Sequence, residues 1–317
     1  MLHRLPEPLQ GVIVSLLFVA NTLFWATLVY ATFVFKLLAP KGPARDAVSR
    51  LAAWLAQNWA MCNVLLSWAC MRIEWDVRIQ AKLDPKAKYL VCCNHQTWND
   101  IFVLMTAFGR KAPFFKFFLK QELIWVPVLG LAWWGLDYPF MKRYTREQIE
   151  KNPYLKGKDL ETTRKACEKY RTQPVLILNF LEGTRFTRAK QQAQQSPYRH
   201  LLKPKSGGFA FALSAMEGQL DALLDVTIVY PDGAKGFWDF MCGRMRRVVV
   251  EIRELRLPSE LRSGDYEADP AFRAQFQRWV AELWTQKDRR IGEILIQTHA
   301  PSGPQSGASR GRTAAGT

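Results

Sequence analysis

The stretch YLVCCNHQTWNDIFVLMTAF, residues 89–108, passes from one apolar run through a short polar loop into a second apolar run. Tyr89 to Cys93 is short and apolar throughout, which is typical of a buried strand. Ile101 to Phe108 predicts a helix, and Asp100 lies near its start, where unpaired backbone amides and the helix dipole favour a carboxylate. In α/β folds the loops that follow strands hold the functional groups. This stretch therefore predicts an α/β fold with a site where the strand ends.

His95 and Asp100 are the candidate catalytic pair in that loop. An arbitrary histidine five positions before an aspartate is more often a core or surface residue in a turn. Here the histidine closes a strand-like run, and the aspartate is expected to be fixed and ionised at the start of a helix. A fixed carboxylate that accepts the proton of one ring nitrogen leaves the other nitrogen free to take a proton from a hydroxyl. The pair therefore predicts a general base with its orienting partner.

A second cluster of polar residues follows the strand predicted for Val175–Phe180. Gly183 allows a sharp turn, Thr184 offers a hydroxyl and an amide, and Arg185 offers a planar set of donors that suits a phosphate. A solvated turn with an ordinary salt bridge is the alternative for this fragment alone. A basic pair at 142–143 also follows hydrophobic sequence. The three elements together indicate a site more strongly than any one of them.

Strand-like and helical patterns alternate from about residue 73 onward. Further strand-like runs are Ala222–Tyr230 and Arg247–Ile252, and amphipathic helical patterns cover Asp159–Arg171 and Phe272–Leu283. This alternation predicts an α/β domain, to which we assign residues 73–298. Residues 299–317 are rich in Gly, Ser, Ala and Pro, a composition that predicts a disordered tail.

Residues 1–72 predict a membrane anchor. Gly11–Phe35 carries no charge, and as a helix it would span roughly 37 Å, more than the roughly 30 Å hydrocarbon core of a bilayer. A cleaved signal peptide is the alternative, but this run is longer than the usual h-region and no small-x-small cleavage site follows it. A second uncharged stretch, Leu51–Met71, includes several polar residues. We therefore expect it to lie in the interface or to pair with the first segment in a shallow hairpin.

The net charge of +16 over 317 residues favours anionic partners such as nucleic acid, phospholipid head groups or phosphorylated substrates. The membrane segment selects lipid among these, so no nucleic-acid partner is expected. The cations that follow the first segment outnumber the single Arg4 before it, which predicts that the bulk of the chain lies in the cytoplasm. They are Lys36, Lys41, Arg45 and Arg50.

The six cysteines show no C-x-x-C pair and no His/Cys spacing that suits zinc. We expect reduced structural thiols and no metal site. Cys92 and Cys93 are adjacent and point to opposite faces of a strand, so both are expected in the core.

The polar loop at 94–100 resembles the first conserved block of the glycerolipid acyltransferase family. The best-known members of that family are the 1-acyl-sn-glycerol-3-phosphate, or lysophosphatidate, acyltransferases. Their first block is Asn-His-x-Ser-x-x-Asp, which contains the HX4D motif. It is matched at Asn94, His95 and Asp100, with Thr97 in place of serine.

The other three blocks of the family follow in order along the chain. The second is matched by Phe140 and Arg143, although the residues between them differ from the usual ones. The third is matched by FLEGTR at 180–185, with Leu181 in place of proline, and the fourth is matched loosely at 226–231. Three further stretches are similar to a bacterial inner-membrane branch of the family: FLKQEL at 118–123, PFMKRY at 139–144 and GKDLETTR at 157–164. The resemblance covers roughly residues 4–296.

The resemblance implies a central mixed sheet flanked by helices, and transfer of an acyl group without an acyl-enzyme. His95, oriented by Asp100, would deprotonate the free hydroxyl of lysophosphatidate, which would attack the thioester of acyl-CoA or of an acyl carrier protein to give phosphatidate. Arg143 and Arg185 would hold the phosphate, while Glu182, Gly183 and Thr184 would shape the same pocket. The expected partners are the acyl donor, a lysophospholipid and the bilayer, with no cofactor beyond the donor. The expected location is the cytoplasmic side of a bacterial inner membrane.

Three alternatives remain open from the sequence. The same chemistry could act on another acceptor, such as a different lysophospholipid, an acylated amino acid or a lipid-linked sugar. A non-enzymatic, membrane-tethered module that binds acidic lipid would account for the charge and the apolar N-terminus but not for the His95 and Arg185 blocks. A hydrolase is disfavoured because none of the predicted strands ends in a Gly-x-Ser-x-Gly elbow.

Overall fold

The computed structural model describes residues 4–40, 42–126, 129–141, 150–152, 154, 158–171, 173–262 and 264–299. The chain begins with two long helices, α1 (Glu7–Leu38) and α2 (Pro43–Cys70), which pack against each other as an antiparallel hairpin. Asn21 Nδ2 donates to Asn63 Oδ1 across this pair at 2.9 Å. Of the two arrangements expected for the second segment, pairing with the first is the one observed. Among the described residues, α1 is the one helix long and apolar enough to cross a membrane.

A mixed six-stranded sheet forms the centre of the remaining chain. The strands are β1 (Glu74–Ile79), β2 (Lys88–Cys93), β3 (Phe115–Lys116), β4 (Leu119–Lys120), β5 (Phe140–Met141), β6 (Val175–Phe180), β7 (Ala222–Val229) and β8 (Arg247–Leu255). Their order in the large sheet is β1-β8-β7-β2-β6-β3, and every neighbouring pair is parallel except β7 with β8. Strands β4 and β5 form a separate parallel pair. The predicted fold class, a central mixed sheet with flanking helices, is confirmed.

The sheet has one hydrophobic core on each face. The helices are α3 (Asn99–Phe108), α4 (Leu129–Gly135), α5 (Lys158–Cys167), α6 (Arg188–Ala193), α7 (Ser206–Ala215), α8 (Phe237–Met241) and α9 (Pro270–His299), with single 3₁₀ turns at Gln121–Trp125, Glu168–Arg171 and Ser259–Leu261. Along β2, Val91 and Cys93 belong to the core under α2 and α3, whereas Leu90 and Cys92 belong to the core under α7 and α9. This alternation follows from the two-residue period of a strand. Both cysteines are fully buried and reduced, as predicted.

Several predicted boundaries need correction. Strand β7 ends at Val229, one residue earlier than predicted, while β8 continues to Leu255 because it pairs with β7 as far as Leu223. The helix predicted for 159–171 changes to a 3₁₀ turn after Cys167. All but the first residue of the predicted tail lies outside the described residues. The domain boundaries at 72 and 298 stay predictions.

Candidate active site

His95 follows β2 directly and faces the loop that follows β6. The side chain of Asn94 fixes the end of β2, because its amide exchanges two hydrogen bonds with the backbone of Ile228, each at 2.9 Å. His95 Nδ1 lies 2.7 Å from Asp100 Oδ2, and the histidine side chain is 15% exposed. Nδ1–H donates to the carboxylate, so Nε2 is the ring nitrogen left for other chemistry. Nε2 has no hydrogen-bond partner in the described part of the chain.

Asp100 is fully buried and its carboxylate accepts four hydrogen bonds. Oδ2 accepts from the His95 ring and from the backbone amides of Gln96 at 2.6 Å and Thr97 at 3.0 Å, and Oδ1 accepts from the Tyr230 hydroxyl at 2.7 Å. The expectation that the amides of α3 itself would hold this carboxylate is wrong, because both bonded amides precede the helix. The carboxylate is nonetheless fixed, and it fixes the imidazole in turn.

Tyr230 is a positioning residue that the sequence did not single out. It follows the last residue of β7, and its hydroxyl reaches Asp100 because β7 lies beside β2 in the sheet. Burial, and then the nearby Asp100, raise the pKa of this phenol well above its ordinary value. The hydroxyl therefore keeps its proton and acts as a donor. A tyrosine between a buried strand and Pro231 was the available signal.

The imidazole is also held by an aromatic stack. The rings of His95 and Phe180 lie 4.0 Å apart between centroids and within 15° of parallel. Phe180 is the last residue of β6, which pairs with β2 in parallel so that Cys93 lies opposite Phe180. The ends of two adjacent parallel strands therefore bring the predicted first and third blocks together.

Glu182 ties these two loops together from inside the protein. Its carboxylate is fully buried and accepts hydrogen bonds from the backbone amides of His95 at 2.8 Å and Leu202 at 2.9 Å. Burial raises the pKa of Glu182 to about 7, although the two amides act to lower it. The expectation that Glu182 lines the acceptor pocket needs correction, because both of its oxygens bond to backbone amides. Its role in this geometry is to hold the backbone of His95.

The loop after Glu182 presents an exposed group of cations. Gly183 has a φ of +64°, and a Cβ at this position would lie 2.9 Å from the side chain of Lys205. Thr184 Oγ1 accepts from Lys190 Nζ at 2.7 Å, and the Arg185 guanidinium lies 4.6 Å from the centre of the Trp98 ring. The sequence did not single out Lys190 or Lys205. A signal was available, since residues 184–205 contain six Lys and Arg and no acidic residue. Arg143 lies outside the described residues.

Comparison with known proteins assigns the family. Residues 74–231 match the family model described as Acyltransferase.

 The matched span contains His95, Asp100, Glu182, Lys205 and Tyr230. The chain belongs to the acyltransferase family.

Several relatives of this acyltransferase are named for lysophospholipid acceptors. The chain is 27% identical over 247 residues to mouse (Mus musculus) 1-acyl-sn-glycerol-3-phosphate acyltransferase gamma, an alignment that covers 73% of this chain and 60% of the relative. It is 22% identical over 260 residues to 2-acyl-1-lysophosphatidylinositol acyltransferase of Saccharomyces cerevisiae, which covers 71% of this chain and 66% of the relative. The chain spans about 60% of the length of the mouse protein and of a 1-acyl-sn-glycerol-3-phosphate acyltransferase of Arabidopsis thaliana.

One solved structure similar to this acyltransferase is the 1-acyl-sn-glycerophosphate acyltransferase PlsC from Thermotoga maritima. It is 18% identical in sequence with a TM-score of 0.47, and the match covers 87% of this chain and 97% of that one.

An apolar groove opens beside the active site of this acyltransferase. It has a volume of about 370 Å³ and lies between α1, α3 and α8, with Trp98, Ile101 and Phe237 among its lining residues. A larger cavity of about 750 Å³ is lined by Leu223 and Leu255, at the end of the sheet opposite His95. The smaller groove is the one that adjoins the candidate catalytic pair, since its lining residues Trp98 and Ile101 flank Asn99 and Asp100 in the chain.

One region therefore contains an oriented base at His95, a buried carboxylate at Glu182 that holds two loops together, the exposed cations around Arg185 and an apolar groove. Such a set can deprotonate a hydroxyl and bind an anionic amphiphile. In the described part of the chain, no group of three or more His, Cys, Asp or Glu side chains could hold a metal ion.

Proposed function

We propose that this acyltransferase moves a fatty acyl group from acyl-CoA or an acyl carrier protein to the free hydroxyl of lysophosphatidate, giving phosphatidate. The observation that carries the proposal is the 2.7 Å contact between His95 Nδ1 and Asp100 Oδ2. This contact leaves Nε2 as the base. The loop that holds His95 also contacts the cationic group, because Trp98 lies against Arg185. The names of the relatives support a lysophosphatidate acceptor.

The reaction proposed is a direct transfer. His95 Nε2 takes the proton of the acceptor hydroxyl while the oxygen attacks the thioester carbon. The carbon–sulfur bond of the resulting tetrahedral intermediate then breaks, and the imidazolium returns the proton to the leaving thiolate. Asp100 stabilises the imidazolium between these steps and keeps the ring in place.

The phosphate of the acceptor is assigned to the cations that surround the Gly183 turn. Arg185 offers a planar guanidinium. Lys190 Nζ donates to the Thr184 hydroxyl and to the carbonyl oxygen of Arg185, and the Lys205 side chain lies close to Gly183. Arg143, which the resemblance assigns to the same phosphate, stays a prediction.

A second candidate is the same transfer to another lysophospholipid. Relatives named for lysophosphatidylinositol and lysocardiolipin match the chain at 22% and 23% identity, close to the values for the lysophosphatidate enzymes. An acceptor panel with equal acyl chains separates these candidates, because the preferred head group should give the highest kcat/KM.

The proposed location is the cytoplasmic face of a bacterial inner membrane, with α1 lying along the protein and not across the bilayer. Glu7 at the start of α1 pairs with Arg244 at 2.8 Å, and Lys36 near its end pairs with Asp137 at 2.7 Å. At 1.5 Å per residue these two pairs are about 43 Å apart along the helix, more than the roughly 30 Å hydrocarbon core. A helix that crossed the bilayer would hold these partners on opposite sides.

The pairing of Lys36 also weakens one argument from the sequence. Lys36 is buried, and its Nζ donates to the carbonyl oxygen of Gly135 as well as to Asp137. It is therefore not a free cation that flanks a membrane span. The side of α1 that carries Leu16, Leu23 and Phe24 is exposed and suits insertion into one leaflet.

The experiment that tests the function measures transfer of radiolabelled oleoyl groups from oleoyl-CoA to lysophosphatidate, in membranes from a host without background activity. His95→Ala should lower the rate about 10²- to 10⁴-fold, because it removes the general base. Tyr230→Phe removes one hydroxyl from Asp100 and should lower kcat by less, about tenfold, with KM unchanged. His200→Ala is the matched control, since this half-buried histidine lies outside the site, and it should retain activity. Retained transfer by His95→Ala would contradict the mechanism.

A further inference from the structure

Trp98 is an exposed aromatic residue whose backbone is fixed on both sides. Its side chain is 63% exposed. Thr97 Oγ1 donates to the carbonyl oxygen of Lys235 at 2.6 Å, and Asn99 Nδ2 donates to the same oxygen at 2.9 Å. An indole on a fixed backbone that exposes a large apolar surface to water is typical of a binding residue.

One face of the Trp98 ring contacts Arg185, one of the cations assigned above to the phosphate. The guanidinium carbon of Arg185 lies 4.6 Å from the ring centre, within the range of a cation–π contact. This contact joins the loop after β2 to the loop after β6. It also holds a flexible, exposed arginine in one place, which lowers the entropy that Arg185 loses when it binds an anion.

The same indole forms part of the wall of the apolar groove. Its neighbours there include Phe18 and Leu23 of α1, Ile101 of α3 and Phe237 of α8. The groove is therefore continuous with the exposed apolar side of α1. An acyl chain that follows α1 into this groove would lie against Trp98, whose ring also contacts Arg185.

We propose that Trp98 is a specificity-determining residue that couples head-group recognition to chain binding in the acceptor. Its ring positions Arg185 for the phosphate and also borders the groove that takes the acyl chain of the same molecule. The acceptor class that fits is a phosphate monoester attached through a short polar unit to a single acyl chain. This inference rests on the proposed function, because Arg185 is assigned there to the phosphate.

The test compares kcat and KM for lysophosphatidate and for monoacylglycerol of the same chain, which lacks the phosphate. Trp98→Leu keeps an apolar wall but removes the aromatic face. It should raise KM for lysophosphatidate about two- to fivefold, the size of one exposed cation–π contact, with kcat nearly unchanged. The preference for lysophosphatidate over monoacylglycerol should fall by the same factor. Trp98→Phe keeps a smaller aromatic face and should lie between wild type and Trp98→Leu.

Phe237→Leu is the matched control, because Phe237 borders the same groove, whereas the cation–π contact of Arg185 is with Trp98. It should shift the chain-length preference of the acceptor and leave the head-group preference as in wild type. In an Arg185→Gln background, Trp98→Leu should no longer change the head-group preference, since its partner is gone.

The outcomes separate this inference from the proposed function. The coupling is wrong, while the proposed function stands, if Trp98→Leu changes the head-group preference no more than Phe237→Leu does. The same holds if Trp98→Leu changes that preference as much in the Arg185→Gln background as in the wild-type background. If Trp98→Leu shifts the chain-length preference for the donor and not for the acceptor, the assignment of the groove to the acceptor is wrong. If the wild-type chain transfers to no lysophospholipid from either donor, the proposed function itself fails.

Discussion

At the residue scale, Glu182 links the backbone of His95 to the loop that follows β6 through a single buried carboxylate. Its pKa rises from 4.5 to about 7 because of burial, so the folded protein holds a proton at Glu182 more tightly than the unfolded chain does. Loss of this proton from the folded state costs free energy. The contribution of Glu182 to the free energy of unfolding is therefore full below about pH 4.5 and is lost as the pH rises to about 7.

Glu182→Gln should consequently change the pH dependence of stability. Glutamine stays neutral, so the variant should lack the fall in the free energy of unfolding that wild type shows between about pH 5 and pH 7. The amide can accept only one of the two backbone N–H groups, so the variant should be less stable than wild type at about pH 5, with a gap that narrows toward pH 7. Thermal unfolding in detergent micelles measures this. Glu161→Gln, at an exposed glutamate, is the control, and an identical pH slope in wild type and Glu182→Gln would refute the role of Glu182.

The sequence predicts His95 and Asp100 because their chemistry is local, within one loop. Glu182 shows the limit of this approach. Its position in the third block was predicted, but its contact with the backbone of His95 depends on the parallel register that sets Cys93 opposite Phe180. Tyr230 depends in the same way on the register of β7 with β2. Such contacts follow from strand order, which one sequence does not supply.

At the scale of elements, α9 is anchored to the sheet by a buried charge. Lys287 is fully buried, and its Nζ contacts Asp225 Oδ1 at 2.5 Å, the carbonyl oxygen of Val226 at 2.7 Å and Thr227 Oγ1 at 2.9 Å. Lys287→Met should lower the free energy of unfolding by about 3–5 kcal/mol, because Asp225 would stay buried with only Arg253 as its charged partner. The double variant Asp225→Asn with Lys287→Met should recover part of this loss. Chemical denaturation measures both.

The control for that prediction breaks an exposed ion pair on another helix. Lys165→Met removes the partner of Glu161 on the surface of α5 and should leave stability nearly unchanged. If Lys287→Met were equally harmless, the buried charge would not anchor α9.

The strands and helices that the sequence predicts have either a nearly continuous apolar run, as in β6, or an apolar stripe at helical spacing, as in α9. Strands β3, β4 and β5 have two residues each, too few for a period, and they were not predicted. Lys287 was open to prediction, because it continues the stripe Phe276, Val280, Leu283, Ile291 and Ile294 at helical spacing. A lysine inside such a stripe indicates a buried partner.

At the scale of the whole molecule, hydropathy identifies the apolar helix but not its orientation. A helix that crosses a bilayer and one that lies in a single leaflet can have the same length and composition. The partners that fix α1, Arg244 and Asp137, are distant in sequence from Glu7 and Lys36. The proposed orientation therefore rests on tertiary contacts that the sequence pattern does not contain.

The in-plane orientation predicts that both ends of α1 lie on the same side of the membrane. Pro6→Cys and Pro40→Cys place a thiol just before and just after the helix, at exposed positions. In inverted inner-membrane vesicles, which expose the cytoplasmic face, a membrane-impermeant maleimide should label both variants to the same extent before and after permeabilisation. The wild-type chain is the control, because it measures any labelling of the native cysteines. All of these except the half-buried Cys62 are buried. Labelling of Pro6→Cys only after permeabilisation would mean that α1 crosses the bilayer. In that case the ion pairs at its two ends could not both form in the membrane, because about 43 Å of helix separates them.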